Sequence, residues 1–250
     1  MSTKPVIEVR NLVASYDDNI VLDGISFQIE PAQVFVVLGG SGCGKSTLLR
    51  HLLGLQKPDA GEIEIFGVDI TKCQDDELQP IRSQIGMVFQ GAALFNSMTL
   101  AENVALPLEE YTDLPDRVIQ DIVDWKLHTV ELDGARELLP SQLSGGMKKR
   151  AAIARAMAMD PALIFFDEHT TGLDPVMAAE LDRTILKLRA EFDLTAVVVT
   201  HDMTSIRRIA DRGIMIADGR IIASGTLQEM AQSDDQRVIN FFMRHEAEEQ

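Results

Sequence analysis

The segment spanning residues 39–47 carries the residues with the clearest chemistry in this 250-residue chain. It matches the pattern G-x-x-x-x-G-K-[ST], with an apolar run at 34–38 before it and a periodic apolar stretch at 48–53 after it. Glycines let the backbone curl so that successive N–H groups face phosphate oxygens, and a helix N-terminus adds a favourable dipole. We therefore predict a nucleotide-phosphate site at Gly39, Gly40, Ser41, Gly42, Cys43, Gly44, Lys45, Ser46 and Thr47.

Charged and hydroxyl groups around this loop suit metal-assisted phosphoryl chemistry. Lys45 can place a positive charge on the β- and γ-phosphates, and the Ser46 hydroxyl can ligate Mg²⁺. A second apolar run, residues 162–166, delivers Asp167 and Glu168. Asp167 can hold Mg²⁺ through a water molecule, and Glu168 can polarise an attacking water.

A second anion site is predicted at residues 143–147, which read Leu-Ser-Gly-Gly-Met. Ser144 can cap the helix that follows, and Gly145 and Gly146 leave its first N–H groups exposed. One site can bind the chain's own nucleotide while the other approaches the phosphates bound to a second copy.

Composition excludes some classes of function. The net charge of −16 argues against a DNA or RNA binder, which normally carries a basic surface. Cys43 and Cys73 have no zinc-ligand spacing, which fits a reducing compartment. No apolar run approaches ~18 residues, and the first ten residues are too polar for a signal peptide. We therefore expect a cytoplasmic protein that reaches a membrane only through a partner.

Hydrophobic patterning predicts the elements that position these residues. Continuous apolar runs at 34–38, 85–89, 163–166 and 196–199 are typical of strands buried on both faces, and the helical stretches between them indicate a largely parallel sheet. Residues 214–217 and 220–223 flank Asp218-Gly219, a two-residue hairpin pattern. Alternating segments at 7–9, 26–29 and 62–65 indicate an antiparallel sheet with one solvated face.

We expect one domain with three parts: a core and β lobe at about 1–90 and 160–225, a helical lobe at about 91–159, and a C-terminal helical extension at about 226–250. Asp113 is expected to cap a helix that has Pro115 in its first turn. Residues 233–236 resemble a capping box. The apolar residues that follow can pack on their own domain or contact a second copy or an accessory subunit.

Together these motifs resemble the ATPases of ABC transporters. That family also has an aromatic A-loop residue, a Q-loop glutamine, a D-loop and a switch histidine, which match Tyr16, Gln90, residues 171–175 and His201. The resemblance implies an α/β fold: a P-loop NTPase (RecA-like) core with a mainly parallel sheet, an N-terminal antiparallel β lobe and an inserted α-helical lobe.

The resemblance also implies roles for individual residues. Tyr16 stacks on adenine, Gln90 contacts Mg²⁺ or water and senses the permease, and His201 holds the γ-phosphate and orients Glu168. Ser144, Gly145 and Gly146 grip the γ-phosphate bound to the opposite subunit. Asp174 crosses the dimer interface, although a purely structural role as the cap of the helix begun by Pro175 is an equal alternative.

Two positions depart from the family pattern. Met147 replaces the usual Gln of the signature, and the Ser-Gly-Gly donors before it are unchanged, so binding is expected to survive. His169 replaces the usual Pro after Asp167-Glu168. It is either a tolerated loop residue or a group that tunes the rate with pH.

Within the family, segments 38–51, 86–95, 102–115 and 143–150 resemble the ATPases of Mce-type lipid transporters, including the Mla phospholipid system. This implies ATP hydrolysis with Mg²⁺ in a head-to-tail homodimer bound to integral-membrane permease subunits on the cytoplasmic face of the inner membrane. Further accessory and lipid-binding subunits are expected, and nucleic acid is not. The alternative is an ATPase for uptake of polar amino acids or other small solutes.

Overall fold

The computed structural model describes residues 4–17 and 19–247, and the side chains as far as residue 243. The strands are β1 (Ile7–Tyr16), β2 (Asn19–Ile29), β3 (Val34–Gly39), β4 (Ala60–Ile65), β5 (Val68–Asp69), β6 (Ile85–Val88), β7 (Leu163–Asp167), β8 (Thr195–Val199), β9 (Arg212–Ala217) and β10 (Arg220–Gly225). The α-helices are α1 (Lys45–Leu52), α2 (Asp75–Arg82), α3 (Leu100–Tyr111), α4 (Asp116–Thr129), α5 (Gly145–Ala156), α6 (Pro175–Phe192), α7 (Met203–Ile209), α8 (Leu227–Ala231) and α9 (Gln236–Ala247).

The chain divides into two compact units, Met1–Arg82 with Val197–Gln250, and Ser83–Ala196. Alternating strands and helices give the α/β fold class that was predicted from the sequence. The finer division into a core, a β lobe, a helical lobe and an extension stays a prediction. Among the helices of the described residues, none has both the length and the apolar character needed to cross a bilayer.

The first unit contains an antiparallel sheet in the order β2-β1-β4-β5. Side chains of β1 alternate between buried and partly exposed, as expected for a sheet with one solvated face. Its register shifts after Val9 relative to β2 and after Arg10 relative to β4. A β-bulge here fits the positive φ of Asn11, 48°, and the close approach of Gly61, where a Cβ would lie 2.5 Å from the Asn11 carbonyl oxygen.

The first unit also contains the strand that leads into the glycine-rich loop. All six residues of β3 are buried, as predicted for a strand covered on both faces, and β3 pairs with β9 in parallel. Strands β9 and β10 form the predicted hairpin, with Ala217 opposite Arg220. Asp218 and Gly219 both have positive φ, 49° and 73°, as a tight two-residue turn of the I′ kind requires.

The second unit carries the parallel pair β6 and β7, with helices α3, α4 and α5 packed together. The buried residues of α5 include Gly146, Ala151, Ala152 and Ala154, whose small side chains let the helix approach the strands closely. A Cβ at Gly86 would lie 2.6 Å from the Ala156 carbonyl oxygen. The C-terminal end of α5 is therefore fixed against β6.

Two predicted helix starts are wrong. Helix α4 has Pro115 as its N-cap residue and no side-chain cap, because proline keeps the residue before it extended and leaves Asp113 two positions outside the helix. Helix α9 is capped by Asp235, whose carboxylate accepts from the N–H of Arg237 at 2.8 Å, while Ser233 accepts from the N–H of Asp235. In α9, Val238 is buried and Met243 is 63% exposed.

Candidate functional site

The loop between β3 and α1 has the backbone that a phosphate cradle needs. Gly39, Gly42 and Gly44 have positive φ of 148°, 76° and 105°. A Cβ at Gly39 would lie 2.4 Å from the Ile216 carbonyl oxygen, and one at Gly44 would lie 2.7 Å from Leu22. Only glycine fits these positions without displacing the neighbouring strands. The curled loop ends at the N-terminus of α1, where backbone N–H groups and the helix dipole favour an anion.

Lys45 lies across this loop. Its ammonium donates to the carbonyl oxygens of Gly39 and Gly40, both at 2.9 Å. These are neutral acceptors, so a phosphate oxygen would be a stronger partner for the same charge. Cys43 is half-buried with its Sγ 4.0 Å from the Lys45 Nζ, while Ser41 and Ser46 are exposed and Thr47 is buried.

Tyr16 and His201 are the other site residues placed in the first unit. The Tyr16 ring is 37% exposed, and its hydroxyl donates to the Gln56 side chain at 2.9 Å and accepts from Arg50 at 3.0 Å. Arg50 is on α1, so the ring is tied to the helix that begins at Lys45. His201 follows β8 and is exposed, and the next residue, Asp202, caps α7.

Asp167 ends strand β7 in the second unit, and Glu168 follows it. Glu168 has φ of 50°, an unfavourable conformation for a residue with a side chain. Its carbonyl oxygen accepts from the N–H of Thr171 at 3.2 Å, and its carboxylate accepts from the Thr171 hydroxyl at 3.1 Å. A tight turn therefore holds Glu168 just past the strand.

The Ser144–Gly146 segment lies in the second unit at the start of α5. Ser144 is the N-cap residue and accepts from the N–H of Met147 at 3.2 Å, as predicted for a capped helix. The two glycines pack against the segment after β7: a Cβ at Gly145 would lie 3.4 Å from Leu173, and one at Gly146 would lie 1.9 Å from Met177. The signature segment and the D-loop are thus neighbours.

Asp174 caps helix α6. Its Oδ1 accepts from the N–H groups of Val176 and Met177, each at 3.0 Å, and Pro175 occupies the first helical position. Asp174 therefore has the role of helix cap that the sequence offered as the alternative to an interface role. Its predicted place at a dimer interface stays a prediction.

Two cationic side chains of α5 donate hydrogen bonds to the main chain of residues 90–93. The sequence motifs did not identify these two residues. The Lys149 ammonium donates to the Gln90 carbonyl, and the Arg155 guanidinium donates to the carbonyls of Ala92 and Ala93 at 3.1 and 2.7 Å. Burial lowers the pKa of Lys149, and the charges of Asp167 and Glu168 oppose that shift. Gly146, Lys149 and Ile153 share the buried face of α5. The position of a lysine at the spacing of the buried helix face was therefore the sequence signal that could have predicted a buried, functional lysine.

His169 is a buried residue with a specific partner rather than a tolerated loop residue, and the effect on the rate weighed for it stays a prediction. It is fully buried, and its Nε2 lies 3.0 Å from the carboxylate of Asp182, itself 1% exposed, on α6. Its ring also meets Phe166 edge-on, with centroids 5.8 Å apart. His169 therefore fastens the turn that contains Glu168 to helix α6.

Each unit thus assembles part of the predicted site. The first unit contains Tyr16, the loop from Gly39 to Thr47, and His201 in the segment after β8. The second unit contains Gln90, Ser144–Gly146, Asp167, Glu168 and Asp174. A glycine-rich phosphate loop after a buried strand, with carboxylates at the end of another, defines a P-loop nucleoside triphosphatase.

Comparison with known proteins identifies the family. The ABC transporter family model matches residues 22–171, and the chain belongs to this family. It is accordingly the ATP-binding, ATP-hydrolysing subunit of an ABC transporter.

Relatives and solved structures agree with this assignment. The chain is 43% identical to the intermembrane phospholipid transport system ATP-binding protein MlaF of Haemophilus influenzae, over 94% of this chain and 89% of that protein. It is 40% identical to the probable ribonucleotide transport ATP-binding protein mkl of Mycobacterium leprae, over 94% and 68%. The dimeric, post-hydrolysis structure of the ATP-binding cassette MJ0796 bound to ADP and Pi superposes with a TM-score of 0.80, at 33% identity, over 88% and 98%.

Proposed function

We propose that this ATPase energises phospholipid movement through a membrane permease. The observation that carries the proposal is the 43% identity to MlaF, a phospholipid transport protein by name, over 94% of the chain. The resemblance of segments 38–51, 86–95, 102–115 and 143–150 to Mce-type ATPases points the same way. The similarity to a ribonucleotide transport protein is lower and covers 68% of that protein, and the small-solute alternative is not favoured.

The proposed hydrolytic centre divides the work among the site residues. Tyr16 binds the adenine, residues 39–47 bind the phosphates, and Lys45 exchanges its two carbonyl partners for phosphate oxygens. Glu168 accepts a proton from the attacking water, while His201 holds the γ-phosphate. The turn that carries Glu168 keeps its carboxylate in one place during this step.

Oxygen donors at Ser46, Gln90 and Asp167 suit Mg²⁺ chemically. Among the described residues, no group of three or more His, Cys, Asp and Glu side chains could hold a metal, and proteins usually bind Mg²⁺ with one or two carboxylates plus substrate phosphates. When bound, Mg²⁺ would neutralise charge on the β- and γ-phosphates.

Two copies are proposed to act head to tail. In this arrangement the Ser144–Gly146 segment of one copy meets the γ-phosphate bound to the other, through the exposed N–H groups at the start of α5. The dimeric form of the MJ0796 cassette supports this arrangement. Closure and reopening of the dimer would then move the permease.

The permease is proposed to dock on the segment that follows Gln90, which places the chain peripherally on the cytoplasmic face of the inner membrane. Phe95 is 51% exposed. The turn beneath it is fixed by the fully buried Asn103, which accepts from the N–H of Phe95 at 2.8 Å and donates to the carbonyls of Phe95, Met98 and Thr99 at 2.9–3.1 Å. A rigidly presented aromatic side chain is a suitable anchor for a partner.

The test combines isolation of the complex with two variants. The wild-type complex should contain an integral-membrane permease and bound phospholipid, identified by mass spectrometry of the purified assembly. Glu168→Gln should bind ATP and accumulate the closed dimer with little turnover, whereas Lys45→Ala should lose both binding and turnover. A complex that contains no phospholipid and moves a small polar solute would refute the substrate assignment, and near wild-type turnover by Glu168→Gln would refute the proposed base.

A further inference from the structure

Lys149 connects three parts of the second unit through one ammonium group. It lies on α5, three residues after Gly146, and is 6% exposed. Its Nζ donates to the Gln90 carbonyl and lies 3.4 Å from the Glu168 carbonyl. One buried charge therefore joins the signature helix to the residue at the start of the permease-facing segment and to the residue proposed as the base.

The contact with Glu168 falls at a residue whose backbone has a left-handed conformation. Glu168 has φ of 50°, and such a conformation persists only when its surroundings hold it. Its carbonyl receives the Thr171 N–H at 3.2 Å as well as Lys149, so a charged donor reinforces the turn. Asp167 and Glu168 also attract this ammonium.

We propose that Lys149 is a positioning residue for ATP hydrolysis, which aims the Glu168 carboxylate by holding the main-chain carbonyls of Gln90 and Glu168 together. This inference rests on the proposed role of Glu168 as the base. Lys149 acts through the backbone and belongs to none of the motifs that bind nucleotide.

The physical consequence is a selective loss of turnover. Without the ammonium, the turn at Glu168 loses a charged donor and relaxes, and a displacement of about 1 Å at a catalytic group costs roughly 100-fold in rate. Tyr16 and residues 39–47, which are proposed to bind the chain's own nucleotide, lie on other segments, so affinity for ATP should change little. The Glu168 carboxylate would still be present, but it would no longer be held in the position that activates water.

The test uses the full-length protein and three substitutions: Lys149→Arg, Lys149→Gln and Lys149→Met. We expect kcat per bound nucleotide to fall in the order wild type, Arg, Gln, Met, with a loss of roughly 10- to 100-fold for Met and a KM for ATP within about twofold of wild type. Lys148→Met is the matched control, because it removes the same charge from the adjacent, half-exposed position of the same helix. Lys148→Met should leave both kcat and the KM for ATP at their wild-type values.

A double substitution separates positioning from general stability. In a Glu168→Gln background, Lys149→Met should change the residual turnover by less than about twofold, because the group it positions is already disabled. A flat kcat across the series, a rise of KM that accounts for the loss, or a full effect of Lys149→Met in the Glu168→Gln background would overturn the proposal. If Lys149→Met does not fold, the comparison of Arg with Gln decides the matter. Full turnover by Glu168→Gln alone would instead refute the proposed base.

Discussion

Asp174 allows the structural and functional roles of one carboxylate to be separated. Its Oδ1 accepts two N–H groups at 3.0 Å at the start of α6. Loss of an N-cap costs about 1 kcal/mol, and loss of its charge at a helix N-terminus costs about 0.3–1 kcal/mol more. Asp174→Ala should therefore lower the free energy of unfolding by about 1–2 kcal/mol. Asp174→Asn should lower it by about 0.5 kcal/mol, because asparagine also caps well.

The activity of the same two variants tests the interface role. If Asp174 also bonds across the dimer, Asp174→Asn should reduce turnover about tenfold at nearly unchanged stability, since a hydrogen bond to a charged group contributes about 1.5–3 kcal/mol. Urea unfolding followed by circular dichroism and steady-state ATPase assays measure the two effects. Thr226→Ala is the control, because it removes a cap from α8 without altering a predicted site residue.

Two results would refute this reasoning. Wild-type turnover by Asp174→Asn would mean that Asp174 only caps its helix. A stability loss for Asp174→Ala well below that of Thr226→Ala would mean that even the cap contributes little.

Three further outcomes are expected. Tyr16→Ala should raise the dissociation constant for ATP by roughly 5- to 150-fold in calorimetry, because stacking on a base contributes about 1–3 kcal/mol. Tyr16→Phe should keep this constant within about threefold of wild type. Equal losses in the two variants would contradict stacking. Phe95→Ala should keep ATP binding but lose co-purification of the permease, and loss of ATP binding instead would place Phe95 elsewhere. Lys126→Met should keep the free energy of unfolding within about 1 kcal/mol of wild type, whereas Lys126→Ala should lower it by about 2–4 kcal/mol. Lys126 is 1% exposed, while its partner Asp160 is 64% exposed and can be solvated by water when the lysine is replaced. Equal losses in the two variants would show that the charge of Lys126 dominates its contribution.

The sequence predicted well whatever depends on neighbouring residues. The glycine-rich loop, the Ser144 cap and the Asp218-Gly219 hairpin are each encoded in a few consecutive positions, and the structure forms all three. The error at Asp113 has a local cause as well, because Pro115 keeps the residue before it extended and the helix begins only after the proline.

The contacts that the sequence did not predict join distant positions. Lys149 meets Gln90 across 59 residues, and Arg155 meets Ala92 across 63. His169 bonds to Asp182 over 13 residues, a separation that implies contact only once the path of α6 is known. The carbonyl partners of Lys149 and Arg155 leave no pattern in the sequence, because any residue type can supply a carbonyl.

The hydrogen bonds from α5 to residues 90–93 make this helix a rigid connection between two parts of the second unit. Twelve residues at 1.5 Å each form a rod about 18 Å long. One end carries the capped Ser144 segment, and cations farther along hold three carbonyls of the loop that precedes Phe95. A rigid rod cannot shift at one end alone. If the Ser144–Gly146 segment binds a phosphate as proposed, its movement is therefore transmitted to the loop that is proposed to face the permease, without passing through a flexible connection.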